Sequence, residues 1–452
     1  MERFLFKKIE LWIVILVGIL IISIVSIGVF SIGVLAMYKN QGGKNYKRIS
    51  EISYKLVKLP FKIRQNTMFH PMEVWVKRGE GVGFEQFKES SVKGHILLSR
   101  YSFEDNQSII ELIDLDNFNV LHKWAPDTDS FFRQMIKRNG QDFLPKHQRF
   151  PNYFSLQRKE NVHPLLLKNG HLIYVSPTLT EINSKSDLVS QKEDLFIHHC
   201  IEEDIDGNFW ACATKFNDNV DYFYADAIVK LSRDKEVLFY RSVNDIFRSN
   251  NMTGIINGLG HSITGNDGTL DPMHINDVLP VPDDGPYWKK GDVFISLRNL
   301  SMVMLYRPDT DKIIWKKIGM SISQHDIDII NDSQISIFSN NTPNFIPNDG
   351  YVNEGYFSEI LIYDFDTDTV SSPFREAMQK HEIFTFVRGA AHVFEDGSAI
   401  IEESQNGRLL MLDSDGDIVW QFMNEAKNGK RYRLAFFRVL ENDIDLSFLS
   451  KK

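Results

Sequence analysis

HINDVLPVPDDGPYWKKGDVFISLR (274–298), followed closely by VMLYRPDTDKIIW (303–315), decides the fold. The first piece reads as a histidine, a strand, an Asp-Gly turn and a second strand. The second piece is a strand, an Asp-rich turn and a strand ending on Trp315. Four short strands joined by polar turns make one antiparallel sheet. The unit recurs in both directions. Its first half returns as HPLLLKNGHLIYV (163–175), HHCIEEDIDGNFWACA (198–213), HDIDIINDSQISIFS (325–339) and HVFEDGSAIIEES (392–404). Its second half returns as IIELIDLDNFNVLHKW (109–124), AIVKLSRDKEVLFY (227–240), EILIYDFDTDTV (359–370) and RLLMLDSDGDIVW (408–420). KGHILLSRYS (93–102) is a partial copy, and 177–197 is polar and resists assignment. Trp124, Tyr240, Trp315 and Trp420 hold matching positions. Copies start near residues 93, 163, 198, 274, 325 and 392, most of them roughly 50–75 apart. Four short strands on such a period are a propeller blade. The reading is an all-β, six-bladed β-propeller over 93–452.

The composition agrees. Aromatic residues make up 12% of the chain, with 33 Phe, which suits pleated, half-buried surfaces. The net charge of −9 gives no basic footprint for nucleic acid. From Leu11 to Tyr38 the chain carries no charge. A membrane-spanning helix needs about 20 apolar residues, and the apolar stretch of a signal peptide is shorter, roughly 7–15. The run is therefore read as a transmembrane anchor, with a signal peptide cut near Ala36 as the competing reading. Residues 1–10 become a cytoplasmic tail and 39–92 a connector. Basic residues flank the run on both sides and barely set its orientation. Cys200 and Cys212 flank a turn at 205–207 symmetrically, so a cross-strand disulfide and two buried thiols both stand.

The inner strand of each blade lines the central channel, so a residue type repeated at its head converges near the axis. His163, His199, His274, His325 and His392 hold roughly that position in a chain with 13 histidines. His163 and His392 lack polar company and read as structural; His199, His274 and His325 sit in HHC, DPMHIND and SQHDID. Arg298 ends an apolar strand, where its cost must be offset by a partner or an anion. Its planar fork suits a tetrahedral oxyanion, and an ion pair with Asp271, Asp277 or Asp326 suits it equally.

Together these residues resemble the core of the bacterial arylsulfotransferase family. DPMHINDV gives the family's Asp-x-x-His-x-Asn element (271–276), ISLR its Ser-x-Arg (296–298), TDKIIW its tryptophan-bearing turn (310–315), QHD its Gln-His-Asp triplet (324–326) and Asn340-Asn341 its following turn. HHC (198–200) is similar to its His-His-Asp element, with Cys200 in place of the aspartate. The resemblance covers roughly 195–425. It implies a six-bladed propeller outside the cytoplasm that moves a sulfuryl group from a phenolic sulfate to another phenol, without a nucleotide donor, cofactor or metal. By the same resemblance His325 is the nucleophile, Arg298 and His274 bind sulfuryl oxygens and His199 is acid or base. Asn276 and Asp326 are the supporting substrate-binding residues, Asp326 as orienter of His325. The expected partners are an aryl sulfate, a phenol and the membrane. A homo-oligomer is left open, and nucleic acid is not expected. Two other classes fit the same histidines: a non-catalytic membrane-anchored propeller that binds a ligand or partner, and a His-ligated metalloenzyme.

Overall fold

A computed structural model describes residues 15–23, 25–26, 28, 70, 72–74, 77–139, 160–176, 178–216, 224–255, 271–342, 357–440 and 446–450. The chain divides into two compact units, Met1–Pro71 and Met72–Lys452. In the first unit, the described residues between 15 and 28 are helical. The remainder of the 11–38 run lies outside the described residues. Among the described residues no helix is long and apolar enough to cross a membrane.

The second unit is the propeller. Among the described residues the strands form six antiparallel sheets. From the axis outward, the second blade is Val162–Leu166, Leu172–Val175, Leu179–Ile182 and Leu188–Gln191. The third is Phe196–Glu203, Phe209–Phe216, Tyr224–Leu231 and Val237–Ser242. The fourth is Ile275–Pro280, Val293–Leu297, Met302–Arg307 and Lys312–Ile318. The fifth is His325–Asn331, Gln334–Ser339, Glu359–Asp364 and Thr369–Ser371. The unassigned 177–197 stretch supplies the outer strands of the second blade.

The first and sixth blades close the ring. The first takes its inner strand, Leu434–Leu440, from the C-terminal end, followed by His95–Ser102, Gln107–Asp114 and Val120–Trp124. That is why residues 93–102 look like a partial repeat: they form a second strand whose first strand lies more than 300 residues downstream. The sixth blade is Ala390–Val393, Ala399–Glu403, Arg408–Leu412 and Ile418–Met423, with a fifth strand, Gly83–Gln86, added at its outer edge. Residues 83–86, read as connector, therefore belong to a blade. Each inner strand contacts the next around the circle, and the last contacts the first.

The core is six apolar seams, one between each pair of adjacent blades. In the fourth blade Val293 and Ile295 face the third, while Phe294 between them faces the fifth. With both faces covered, such strands need not alternate apolar and polar residues. Trp124, Tyr240, Trp315 and Trp420 all lie on the fourth strand from the axis, opposite Ile110, Val229, Leu305 and Met411.

Candidate active site

The inner strands of blades two to five each carry a β-bulge near the histidine position. A bulge adds one residue, bends the strand and re-aims a side chain. His163, His199, His274 and Asp326 have positive φ there, at 48°, 61°, 51° and 50°. Non-glycine residues seldom adopt this conformation, and it gathers at functional sites.

Three of the five repeated histidines come together. The rings of His199 and His274 meet edge to face, with centroids 5.0 Å apart. His325 lies near enough to act electrostatically on His199 and to feel His274. Arg298 opens a short turn after its strand, and its backbone N–H donates to the His274 carbonyl at 3.0 Å. Arg298 lowers the pKa of both His325 and Asp271, which places its charge in the same group. His163 and His392 lie elsewhere. His163 stacks on Phe436 of the first blade, and His392 bonds Asp328 of the fifth at 3.0 Å.

Each site group is held by a defined partner. His274 Nδ1 is 2.5 Å from an Asp271 carboxylate oxygen. Burial pushes Asp271 up, but His274 outweighs it and holds the carboxyl below its usual range. Asn299 donates to the Asp271 carbonyl at 2.6 Å and accepts from Arg298 at 2.8 Å, so it ties the aspartate to the arginine. The Thr214 hydroxyl donates to Asp226 and also bonds His198 Nε2. His198 Nδ1 then meets His199 Nδ1 at 2.6 Å. In the assignment this network favours, His198 Nε2–H donates to Thr214 and its Nδ1 accepts from His199, leaving His199 Nε2 without a hydrogen. Burial, reinforced by the neighbouring histidines, holds His199 well below the usual imidazole range, and burial takes His198 down to about 4.

His325 is 7% exposed. Its Nδ1 lies 2.6 Å from Asn340 Oδ1 and 3.1 Å from the Ser323 carbonyl. Its Nε2 accepts a long hydrogen bond, 3.3 Å, from the Arg388 backbone N–H. Burial and then the Arg298 guanidinium hold its pKa well below the usual value. Arg388, at φ 61°, is paired through its side chain with Glu160. Gly389 follows at φ 94°, where a Cβ would strike Phe338 and Thr385, so the chain can enter the site here because this residue has no side chain.

The neighbours of His325 do other work. Gln324 is fully buried and bonds Ser321, Ser296 and the Met302 carbonyl. Asn276 donates to the Gln324 carbonyl at 2.7 Å, and its own buried Oδ1 has no hydrogen-bond partner. Asp326 does not orient His325: its carboxylate accepts from Ala391 N–H of the sixth blade at 2.8 Å. Adjacent strand residues point to opposite faces, which separates the two. Burial, with Asp328 and Asp277 nearby, pushes Asp326 well above the carboxylate range, so its own ionised form is disfavoured there.

Sequence reading missed Arg388, Asn299 and Asn340 as site residues. Arg388 and Asn299 lie beside quoted motifs without a repeat position of their own. Asn340 was noted only as part of a turn. Cys200 and Cys212 are buried free thiols whose sulfurs touch at 3.1 Å. Among the described residues no group of three or more His, Cys, Asp or Glu is arranged to hold a metal ion.

The arylsulfotransferase (ASST) family model matches residues 166–425, which take in blades three to five, most of blades two and six, and the motifs at 198–200, 271–276, 296–298, 310–315, 324–326 and 340–341. The chain belongs to the arylsulfotransferase family. A search of curated proteins finds no match. Solved structures that it resembles include a Bacteroides caccae protein of unknown function (12% identity over 73% of this chain and 94% of that one, TM-score 0.41). Virginiamycin B lyase from Staphylococcus aureus is another, at 11% identity over 59% and 71%, TM-score 0.32. A third is Kuenenia stuttgartiensis hydrazine synthase, at 10% over 68% and 71%, TM-score 0.38. Sulfotransfer is the general activity that arylsulfotransferase membership supports for this site.

Proposed function

We propose that this arylsulfotransferase moves a sulfuryl group from a phenolic sulfate ester to a phenol, by way of a sulfohistidine on His325. The observation that carries the reading is the state of His325. It is a buried imidazole whose pKa is held low by burial and the Arg298 charge, with its Nε2 lone pair held only by a long hydrogen bond from the Arg388 N–H. Sulfuryl transfer resembles phosphoryl transfer, with a loose centre in line between two oxygens. It needs position and positive charge more than acid–base strength. Arg298 supplies a permanent cation and planar donors, and His274, backed by Asp271, supplies a second contact. The Arg388 N–H already points at the reacting nitrogen and can turn to a sulfuryl oxygen.

His325 Nε2 attacks sulfur and the S–O bond to the aryl group breaks, releasing a phenolate that takes a proton from solvent. The acceptor phenol then attacks the same sulfur, the N–S bond breaks and the imidazole is restored. His199, with a free Nε2, is placed to take the acceptor's proton. Asn276 contributes a fixed carbonyl oxygen that can receive a hydroxyl donor. Asp326 keeps no substrate-binding role in this scheme. The uncharged 11–38 run supports single-pass membrane attachment, and the family resemblance favours the propeller outside the cytoplasm, to be tested by fractionation and protease protection in intact cells.

The test of function is turnover of a chromogenic aryl sulfate with a phenol acceptor. Turnover should be present in the wild type and fall about a thousandfold or more in His325→Asn. A folded wild type that is inert across many donors removes the reading, and survival of activity in His325→Asn removes the nucleophile.

A further inference from the structure

We propose that Asn340 is a positioning residue: it locks His325 in the Nδ1–H tautomer and, because it is uncharged, keeps the imidazole a neutral nucleophile. The inference rests on His325 as the nucleophile proposed above.

The direction of the Asn340 amide is fixed from behind. Asn340 is fully buried. Its NH2 group donates to the carbonyls of Thr385 at 2.7 Å and Arg388 at 2.5 Å. Turning the amide over would set its oxygen against two carbonyl oxygens and leave two acceptors without donors, which burial makes costly. Asn340 Oδ1 must therefore face His325 Nδ1, and an amide oxygen only accepts. Ser323 contributes a second acceptor, its carbonyl, to the same nitrogen. Two acceptors at Nδ1 require a hydrogen there. Nε2 is then the bare nitrogen, and the Arg388 N–H that approaches it is a donor, as a bare nitrogen needs. Every contact around the ring agrees with one tautomer.

The absence of charge on Asn340 matters as much as its direction. A histidine backed by a carboxylate is stabilised in its cationic form. Here burial and the Arg298 and His274 charges hold His325 down, against a smaller upward pull from its hydrogen bonds to Asn340 and the Ser323 carbonyl, and His199 is coupled to it in turn. Arg388 presents its backbone N–H, Asp271 is engaged by His274, and Asp326 on the same strand is tied to Ala391. None of these contacts sets a carboxylate on the His325 ring. When Nε2 bonds to sulfur while Nδ1 keeps its hydrogen, the ring gains a positive charge. With two uncharged acceptors behind Nδ1, that adduct is stabilised less than a carboxylate would stabilise it. Passing the sulfuryl group to a phenol returns the ring to its favoured neutral state. Asn340 thus makes His325 both available as a nucleophile and quick to give up what it holds.

The test reads the tautomer directly. The full chain with 15N-labelled histidine rings is measured by NMR from pH 8 to pH 5, with His325→Gln assigning the signal. The expected result is a protonated Nδ1 and an unprotonated Nε2 at His325, unchanged across that range. An Nε2–H form, or titration of His325 near its ordinary pH, overturns the proposal. In Asn340→Asp the His325 titration, and with it the acid limb of sulfuryl transfer, should move up by about one to three pH units. A folded Asn340→Asp whose titration stays put overturns the proposal as well. If Asn340→Asp does not fold, the wild-type spectrum decides alone. Since the tautomer is read without turnover, the two readings fail separately. The Nδ1–H form without aryl sulfate turnover refutes the reaction and leaves the lock standing. An Nε2–H form refutes the lock even where turnover is normal.

Discussion

Arg298 and the two buried imidazoles carry the residue-scale expectations. Arg298→Gln keeps a planar side chain but loses the charge, and should lower kcat/KM for an aryl sulfate about 10²–10³-fold with the fold intact. Loss of less than threefold would place the anion elsewhere. Burial lowers the pKa of His199 and His325 far enough that both stay neutral below the usual histidine range. The acid limb of the pH–rate profile should therefore lie below about pH 6.5, and a limb at or above that value would contradict the neutral-nucleophile reading. The same shifts work against stability in acid. As pH falls below about 6.5 the unfolded chain binds protons that folded His198 and His199 refuse, so stability drops with them. His199, His274 and His325 were legible in the sequence because a blade repeat gives their positions an equivalent place, and Arg298 because a charge ending an apolar strand needs a partner. Asn340 and Arg388 were not legible as site residues. They act on His325 through an amide direction and a backbone N–H, and neither leaves a spacing pattern.

Elements are tied to one another by carboxylates across the seams. Asp226 of the third blade accepts from Ile275 N–H of the fourth, Asp277 of the fourth from Ile327 N–H of the fifth, and Asp326 of the fifth from Ala391 N–H of the sixth. The sequence showed Asp277 and Asp326 as candidate ion-pair partners or an orienter and did not single out Asp226, because it cannot reveal that a bulge beside Asp277 and Asp326 turns them into the neighbouring blade. Burial, with Glu202 nearby, pushes Asp277 up to about 7. Such a group is easier to keep when protonated, so its cost grows as pH rises from about 4 to 7 and is constant above. Asn in its place keeps an oxygen for Ile327 and sheds the ionisation cost. Asp277→Asn should match the wild-type melting temperature near pH 4 and exceed it by a margin that widens up to pH 7. An equal deficit at every pH would show that the carboxylate itself is required.

The whole ring is closed by strands far apart in the chain, and Arg438, on the closing strand of the first blade, reaches residues of the second and third blades. It makes a two-pronged contact with Glu202 of the third blade and bonds the Pro164 and Ile201 carbonyls. Burial alone would raise Glu202, yet Arg438 and His163 hold it down at about 2. Arg438→Met strands a buried carboxylate and should cost about 3–5 kcal/mol in urea unfolding, with Glu202→Gln in the same chain recovering part of it. No recovery would mean that the arginine acts through packing instead. The blade count was readable from the repeats. The closure was not, because its two strands, Gly83–Gln86 and Leu434–Leu440, carry no copy of the repeat and pair only across the full length of the chain. That closure brings the six channel positions to one axis, and the chemistry depends on it. The most direct measurement is mass spectrometry of the folded protein after exposure to an aryl sulfate with no acceptor present. The account predicts one added SO3, localised to His325 and lost when a phenol is supplied. Turnover without any such adduct, or an adduct on a different residue, would contradict it.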